Sequence, residues 1–263
     1  MIQSAALSNL RGIVMNLRGS VAIVTGGSGG LGGQICQSLA EAGSNVAVLY
    51  NEGKDRATEV VEGLSLLGID SKIFKCDVSD SVSVDLMVSS VLDHFGQVDI
   101  LVNDAGYNQW VPFDDLDSMT NDLWEQILKI NLTGPMLCTK AVAGLMRQQG
   151  RGRIVNVASI AGIIPTGSSI AYAVSKAGLV HLTKCMSVGL APEVLVNCVA
   201  PGYMEGTKMS ERLASSYRKA AVSRALLERA ASKRDIAEQV VAFCKTDSVT
   251  GQTLVMDSGR MHN

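Results

Sequence analysis

The sequence predicts a single α/β domain built on a doubly wound parallel sheet of about seven strands with helices on both faces. Three observations carry this. Seven short β-branched runs alternate with longer amphipathic stretches, the pattern of successive βαβ units. Those short runs are apolar nearly throughout, not only at alternate positions, as strands covered on both faces must be. The chain has 263 residues, of which 47% are hydrophobic and 18% charged, which fits one α/β domain and excludes a disordered chain.

The elements follow in order. Strands are expected at 21–24, 46–49, 72–75, 100–102, 154–157, 195–199 and 253–256. Helical periodicity fills the gaps at 31–42, 54–67, 81–95, 123–146, 172–190 and 235–244. The long pattern at 123–146 reads as one helix. Residues 203–231 interrupt the alternation between the sixth and seventh strands with a polar, basic, helical segment. A doubly wound sheet binds its ligand outside the carboxyl ends of its strands, so an insertion there overhangs the site as a lid. Residues 1–14 precede the first element and are expected to be a poorly ordered, dispensable extension, with the domain running over 15–263.

Charge and cysteine usage remove other classes. A formal net charge of −2 lacks the basic excess that neutralises phosphates in a nucleic-acid binder. The cysteines at 36, 76, 138, 185, 198 and 244 contain no C-x-x-C pair, and His94, His181 and His262 are far apart. No metal site or disulfide framework is expected, and scattered cysteines of this kind are small core residues in a reducing compartment. The first sixteen residues lack a charged region followed by a long apolar run. The uncharged stretch 154–175 is broken by Asn156, Gly162, Pro165 and Gly167, so it reads as strand, loop and helix start, not as a membrane span. These readings place the protein in the cytoplasm with no membrane partner.

Two clusters carry chemistry. Thr25-Gly26-Gly27-Ser28-Gly29-Gly30-Leu31-Gly32-Gly33 follows the first strand and opens a helix. Glycines allow the positive φ and the close approach needed to wrap a diphosphate, and the helix end supplies N–H groups and a positive dipole. Its spacing is T-G-x-x-x-G-x-G, on Thr25, Gly26, Gly30 and Gly32. The second cluster is Tyr172-Ala173-Val174-Ser175-Lys176, a phenol and an ammonium on one helix face. A lysine cation beside a tyrosine favours the phenolate, bringing an otherwise poor base towards neutral pH.

With these residues the chain resembles the short-chain dehydrogenase/reductase family, in its compact single-domain, Rossmann-type branch, over nearly its whole length from Met15. Ser159, at the end of the fifth strand, stands where the family carries its carbonyl-orienting serine, and Asn131 where it carries an asparagine that holds a water against the lysine. Asn103-Asp104-Ala105-Gly106 resembles the family's N-N-A-G turn, Asp77-Val78 the acidic position that meets adenine, and Pro201-Gly202 the nicotinamide end. The resemblance implies hydride transfer between a nicotinamide and a carbonyl carbon. Tyr172 would exchange the proton, Ser159 would polarise the oxygen, Lys176 would lower the Tyr172 pKa and bond the ribose, and Asn131 would complete the relay. It also implies cofactor contacts at Gly26, Ser28, Gly30, Leu31, Gly32, Tyr50, Asn51, Asp77, Val78, Asn103, Ala105, Gly106, Tyr172, Lys176, Pro201 and Gly202, and a homotetramer.

Tyr50 holds the position where an NAD-type acid would bond the adenosine ribose, so NADP(H) is favoured and NAD(H) stays open. The arginines usual for NADP are absent too, Gly29 and Asn51 standing in their places. Two departures are visible: Asp104 replaces the second asparagine of N-N-A-G, and Asp257-Ser258-Gly259 replaces a D-G-G. Pocket walls are expected from 107–113, 160–169 and 203–213. Trp110, Ile160, Ile163, Ile164 and Met204 suggest a largely apolar pocket for a small-molecule ketone or acyl chain. The leading reading is an NADPH-dependent carbonyl reductase or secondary-alcohol dehydrogenase. The alternative is a 3-oxoacyl reductase acting on acyl-carrier-protein or CoA thioesters; a carrier protein needs a basic docking face, and Arg147, Arg151 and Arg153 lie near the fourth helix, but the segment after Gly189 is short and lacks an arginine. A third reading is a catalytically silent dinucleotide sensor, which would usually have lost the tyrosine or lysine present here.

Overall fold

The structure, a computed structural model, describes residues 15–261; the expectation for residues 1–14 lies outside them. Seven strands form one sheet: β1 (Val21–Thr25), β2 (Asn45–Tyr50), β3 (Ser71–Lys75), β4 (Ile100–Asn103), β5 (Gly152–Val157), β6 (Val194–Pro201) and β7 (Thr253–Met256). Their order is β3-β2-β1-β4-β5-β6-β7, every pair parallel. The order reverses between β1 and β4, so the crevice that binds ligands opens there.

Nine α-helices accompany the sheet among the described residues: α1 (Gly30–Glu41), α2 (Lys54–Ser65), α3 (Ser81–Phe95), α4 (Asn121–Leu128), α5 (Gly134–Gln148), α6 (Ile170–Leu190), α7 (Lys208–Glu211), α8 (Ser215–Ser223) and α9 (Lys233–Lys245). The alternating pleat sends side chains to two cores. Ala22, Val24, Val46 and Val102 face one, with Ile35 of α1 and Val240 of α9. Val21, Ile23, Leu101 and Ile154 face the other, with Val88 of α3 and Val142 of α5. All are buried, which is why the strands read as unbroken apolar runs.

Two elements depart from expectation. The single helix expected over 123–146 is two, α4 and α5, joined by a five-residue π turn at Lys129–Thr133. Pro135 in the first turn of α5 has no N–H to continue the ladder. A Cβ on Gly134 would meet a Val78 methyl at 2.9 Å, so the backbone must pass close there. The wider turn brings Asn131 to a fully buried position. The insertion at 203–231 is only partly helical, with α7 and α8 separated by irregular chain. The six cysteines are all free, and only Cys185 is exposed. Among the described residues no helix is long and apolar enough to cross a membrane, and no cluster of side chains could hold a metal.

Candidate active site

Thr25 ends β1 with its hydroxyl turned to the neighbouring strand end. Its Oγ1 accepts from the backbone N–H of both Asp104 and Ala105, each at 3.0 Å. This ties the turn after β1 to the turn after β4 across the switch point. Gly26 has φ of +67°, and a Cβ there would sit 3.0 Å from the Ala105 backbone. A Cβ on Gly32 would run into the carbonyl oxygen of Gly26. Helix α1 starts at a glycine cap with no side-chain hydrogen bond and no acid in its first turn. Of its first N–H groups, that of Gly32 meets the Asp104 carboxyl, and those of Gly30 and Leu31 face the cleft where an anion would bind.

The cleft above this turn encloses about 810 Å³. Gly26, Ser28, Gly30, Leu31, Ala105, Gly106, Tyr172 and Lys176 line it, as the sequence suggests. The other expected cofactor positions lie outside its lining. Gly32 packs beneath the turn, Tyr50 and Asn51 sit at the end of β2, and Val78 joins the second core. The Asp77 carboxylate accepts from Ser79 N and Oγ at 2.9 and 2.7 Å, and it is Asp80 that caps α3. Asn103 donates to Asn156 Oδ1 at 2.9 Å, binding β4 to β5. Pro201 is buried at the end of β6, and Gly202 borders a second pocket instead. Arg56, Asp104, Thr207, Lys208 and Met209 also line the cleft without having been assigned to it. Arg56 sits in the first turn of α2, and its guanidinium folds over Gly53 at that helix start.

Tyr172 is placed by a cap. Ser169 Oγ accepts from Tyr172 N at 3.2 Å, fixing the tyrosine in the first turn of α6. Lys176, one turn on, is 3% exposed and donates to Val157 O at 2.8 Å. Asn131 is locked both ways onto Tyr107: its Oδ1 accepts from Tyr107 N at 2.7 Å and its Nδ2 donates to Tyr107 O at 2.9 Å. Nδ2 also donates to Ser175 Oγ, which bonds Tyr172 O. Asn131 and Lys176 converge on Gly106, where a Cβ would lie 3.3 Å from Asn131 Oδ1 and 3.7 Å from Lys176 Nζ. Ser159 caps a short 3-10 turn by accepting from Ala161 N at 3.1 Å. That leaves its own hydroxyl hydrogen for the Tyr172 phenol oxygen.

The electrostatics correct one expectation. Lys176 does not hold the Tyr172 phenol low. Burial pushes Tyr172 up to about 12, against the Ser159 hydrogen bond, which favours the phenolate. Burial likewise pushes Lys176 down to about 8, although the Asp104 carboxyl pulls the other way. Asp104 itself is pushed up to about 7 by burial, opposed by Lys176 and by the Gly32 N–H. Desolvation outweighs the charge attraction between Lys176 and Asp104, and at Tyr172 it outweighs the Ser159 hydrogen bond.

The second pocket, about 530 Å³, lies on the other side of Tyr172, with Ser159, Ile160, Met204, Leu213 and Gly202 in its walls. Tyr172, Met204, Thr207 and Met209 border both cavities. The pocket is largely apolar, as expected, though partly through other residues: Ile160, Met204, Met209 and Leu213 line it. Of residues 107–113 only Asn108 reaches it; Ile163 is 43% exposed, and Trp110 packs edge-on against Tyr217 at 5.5 Å. Tyr217 and Arg260 complete the wall from beyond the ranges the sequence suggested.

Comparison with known proteins agrees with this geometry. A family model described as short chain dehydrogenase matches residues 20–218. The chain is 35% identical over 243 residues to the 3-oxoacyl-[acyl-carrier-protein] reductase FabG of Staphylococcus aureus, covering 90% of this chain and 96% of that one. Among solved structures, a short-chain type dehydrogenase/reductase from Mycobacterium marinum superposes with a TM-score of 0.88 at 31% identity, covering 94% and 98% of the two chains. NAD+-bound xylitol dehydrogenase superposes with a TM-score of 0.86 at 30% identity, covering 93% and 100%. A diphosphate-ready turn, a tyrosine and lysine one helical turn apart, and relatives that match almost end to end make one case: this chain belongs to the short-chain dehydrogenase/reductase family of NAD(P)-binding oxidoreductases.

Proposed function

We propose that the protein is an NADPH-dependent carbonyl reductase, or in reverse a secondary-alcohol dehydrogenase, with Tyr172, Ser159, Lys176 and Asn131 as its proton-handling residues. The observation that carries this reading is that Tyr172 forms the wall between the dinucleotide cleft and the second pocket. A proton donor there reaches a carbonyl held against the cofactor. The bound dinucleotide supplies or accepts the hydride.

Tyr172, kept protonated by burial, is a phenol ready to give its proton to the alkoxide oxygen formed in reduction. Ser159 faces the same oxygen and stabilises its charge. Lys176, held by Val157 O at the rim of Gly106, is placed to bond the nicotinamide ribose. Asn131 positions Tyr107 and Ser175, which bracket that site.

NADP(H) is the preferred cofactor in this reading. The acid that would repel a 2′-phosphate is replaced by Tyr50, and Arg56 reaches the cleft beside Ser28, Gly29 and Gly30. A guanidinium there offers the planar donors a phosphate takes. The basic group comes from inside α2, not from the strand end or the glycine turn.

The second reading, a 3-oxoacyl-thioester reductase, is favoured by the 35% identity to an acyl-carrier-protein reductase. Of the three arginines near the fourth helix only Arg153 is withdrawn from a carrier protein, while Arg147 and Arg151 stay exposed. Arg153 is 7% exposed and paired with Asp247, Arg151 pairs with Asp99 at 3.3 Å, and Arg147 donates to Gly189 O. A homotetramer is part of the proposal, supported by apolar Val174 and Val188 exposed on α6; a monomer in light scattering would contradict it. The test of the function is an initial-rate panel of ketones, aldehydes and 3-oxoacyl esters with NADPH and NADH. NADPH oxidation by at least one carbonyl class is expected. Cofactor binding without turnover on any of them would leave the silent-sensor reading standing instead.

A further inference from the structure

We infer that Arg260 is the receptor for an anionic group on the substrate, so that the carbonyl compound taken by this pocket carries a carboxylate or phosphate. The inference rests on the reading of Tyr172 as proton donor and adds to it the chemistry at the far end of the substrate.

The C-terminal turn is built to deliver this side chain. Asp257 Oδ1 accepts from Gly259 N at 2.9 Å and Oδ2 from Met261 N at 2.7 Å. Ser258 and Gly259 take φ of 59° and 78°, reversing the chain just before Arg260. The turn is seated against the end of β6, where a Cβ on Gly202 would lie 2.7 Å from Asp257 Cα. Serine in a left-handed conformation is strained relative to glycine, yet the aspartate grips the turn from both sides.

Among the described residues the guanidinium then meets only neutral groups. One nitrogen donates to Thr166 Oγ1 at 3.1 Å, another lies 3.5 Å from the Tyr217 hydroxyl, and its carbon stands 5.6 Å from the Tyr217 ring centre. Thr166 and Tyr217 are themselves 3.1 Å apart. Among the described residues Arg260 is in no ion pair, and no aspartate or glutamate lines the pocket. A cation fixed in a concave site with no counter-charge draws an anion, and an arginine does so with paired donors. The site belongs to the reaction. Thr166 precedes Gly167, whose Cβ would lie 3.2 Å from the Tyr172 ring, so the cation sits across one short loop from the proton donor.

The test compares 3-, 4- and 5-oxo acids with their methyl esters, and hydroxyacetone phosphate with hydroxyacetone, in wild type and in Arg260→Met and Arg260→Lys. The wild type is expected to prefer the anion of at least one pair in kcat/KM. In Arg260→Met that preference falls roughly 10- to 100-fold, the loss of charge-assisted hydrogen bonds. Arg260→Lys retains part of it. The acid arm against the phosphate arm shows which oxyanion the site takes. Equal wild-type rates for every anion and its neutral partner, or a preference untouched in Arg260→Met, overturns the inference. Calorimetric titration of the same compounds into the NADP+-loaded enzyme reads the preference without turnover. A failure of the proposed reaction is thereby separated from a failure of the anion site. Thermal unfolding of the variants confirms that they are folded.

Discussion

The two halves of the cleft are built by different means. The dinucleotide half is backbone: a glycine turn that excludes side chains, the open end of α1, and a second turn tied to it by Thr25. The substrate half is side chain: Ser159, Thr166, Tyr217 and Arg260 are drawn from a strand end, a loop, helix α8 and the C-terminal turn. The contact of Thr166 with Arg260 spans 94 positions. A backbone site binds what all relatives share, and a side-chain site can change its ligand by single substitutions. This contrast explains how one fold serves an acyl-carrier-protein reductase and a xylitol dehydrogenase.

The largest expected effect lies at Tyr172, which borders both halves. Tyr172→Phe removes the proton and leaves the ring that walls the cleft. Turnover should fall roughly 10²- to 10⁴-fold, the range for general acid catalysis, while NADPH binding by fluorescence titration stays near that of the wild type. Unchanged turnover would remove Tyr172 from the mechanism. Arg56 asks whether the backbone half depends on one side chain. Arg56→Glu should lower the NADPH-over-NADH ratio of kcat/KM roughly 10- to 100-fold by replacing attraction with repulsion at the 2′-phosphate. If the ratio holds, cofactor choice is made elsewhere.

Gly32→Ala tests the backbone character itself. A methyl directed at the Gly26 carbonyl should cost about 1–3 kcal/mol in chemical denaturation and weaken both dinucleotides alike. A neutral result would mean the turn can move aside. A purely pH-dependent effect is expected at Asp104. Its carboxyl is raised from 3.8 to about 7 in the folded chain, so the folded state holds that proton more tightly than the unfolded one. The stabilisation from this group is complete below about pH 4 and lost as pH rises through about 7. Asp104→Asn lacks this loss, so its melting temperature should gain on the wild type from pH 4 to pH 8. Parallel profiles over that window would show that Asp104 titrates normally. The window stops at 8 because Lys176, lowered to about 8, titrates above it in the opposite sense.

How much was legible follows the same division. All seven strands appear where their apolar runs lie; in the five inner strands burial on both faces marks nearly every residue, while the edge strands β3 and β7 are only partly buried. Asn131, Ser159, Tyr172 and Lys176 could be located from spacing, since their positions are set by strand ends and helix turns. The π turn around Asn131 was hidden inside a continuous helical periodicity, and only Gly134-Pro135 hinted at it. Asp77 adds what spacing could not give: Ser79 bonds one carboxylate oxygen, Oδ1, and so orients the side chain. Arg56 was visible as a basic residue, yet nothing in its spacing said it would turn over Gly53 into the cleft. Arg260 left one indirect sign, the serine that departs from D-G-G just before it.

The sequence by itself determined the doubly wound sheet, the dinucleotide turn and the identity of the tyrosine and lysine, because local periodicity and chain sterics write these into neighbouring residues. The tertiary structure alone decided how those groups are charged and what stands across the pocket from them. Tyr172 is held near 12 and Asp104 near 7 by desolvation, which exists only once the chain has closed around them. Arg260 meets Thr166 and Tyr217 only because the loop after β5, helix α8 and the C-terminal turn come together in space. Spacing along a chain records the first kind of relation; the second is a matter of distance through space and of excluded water.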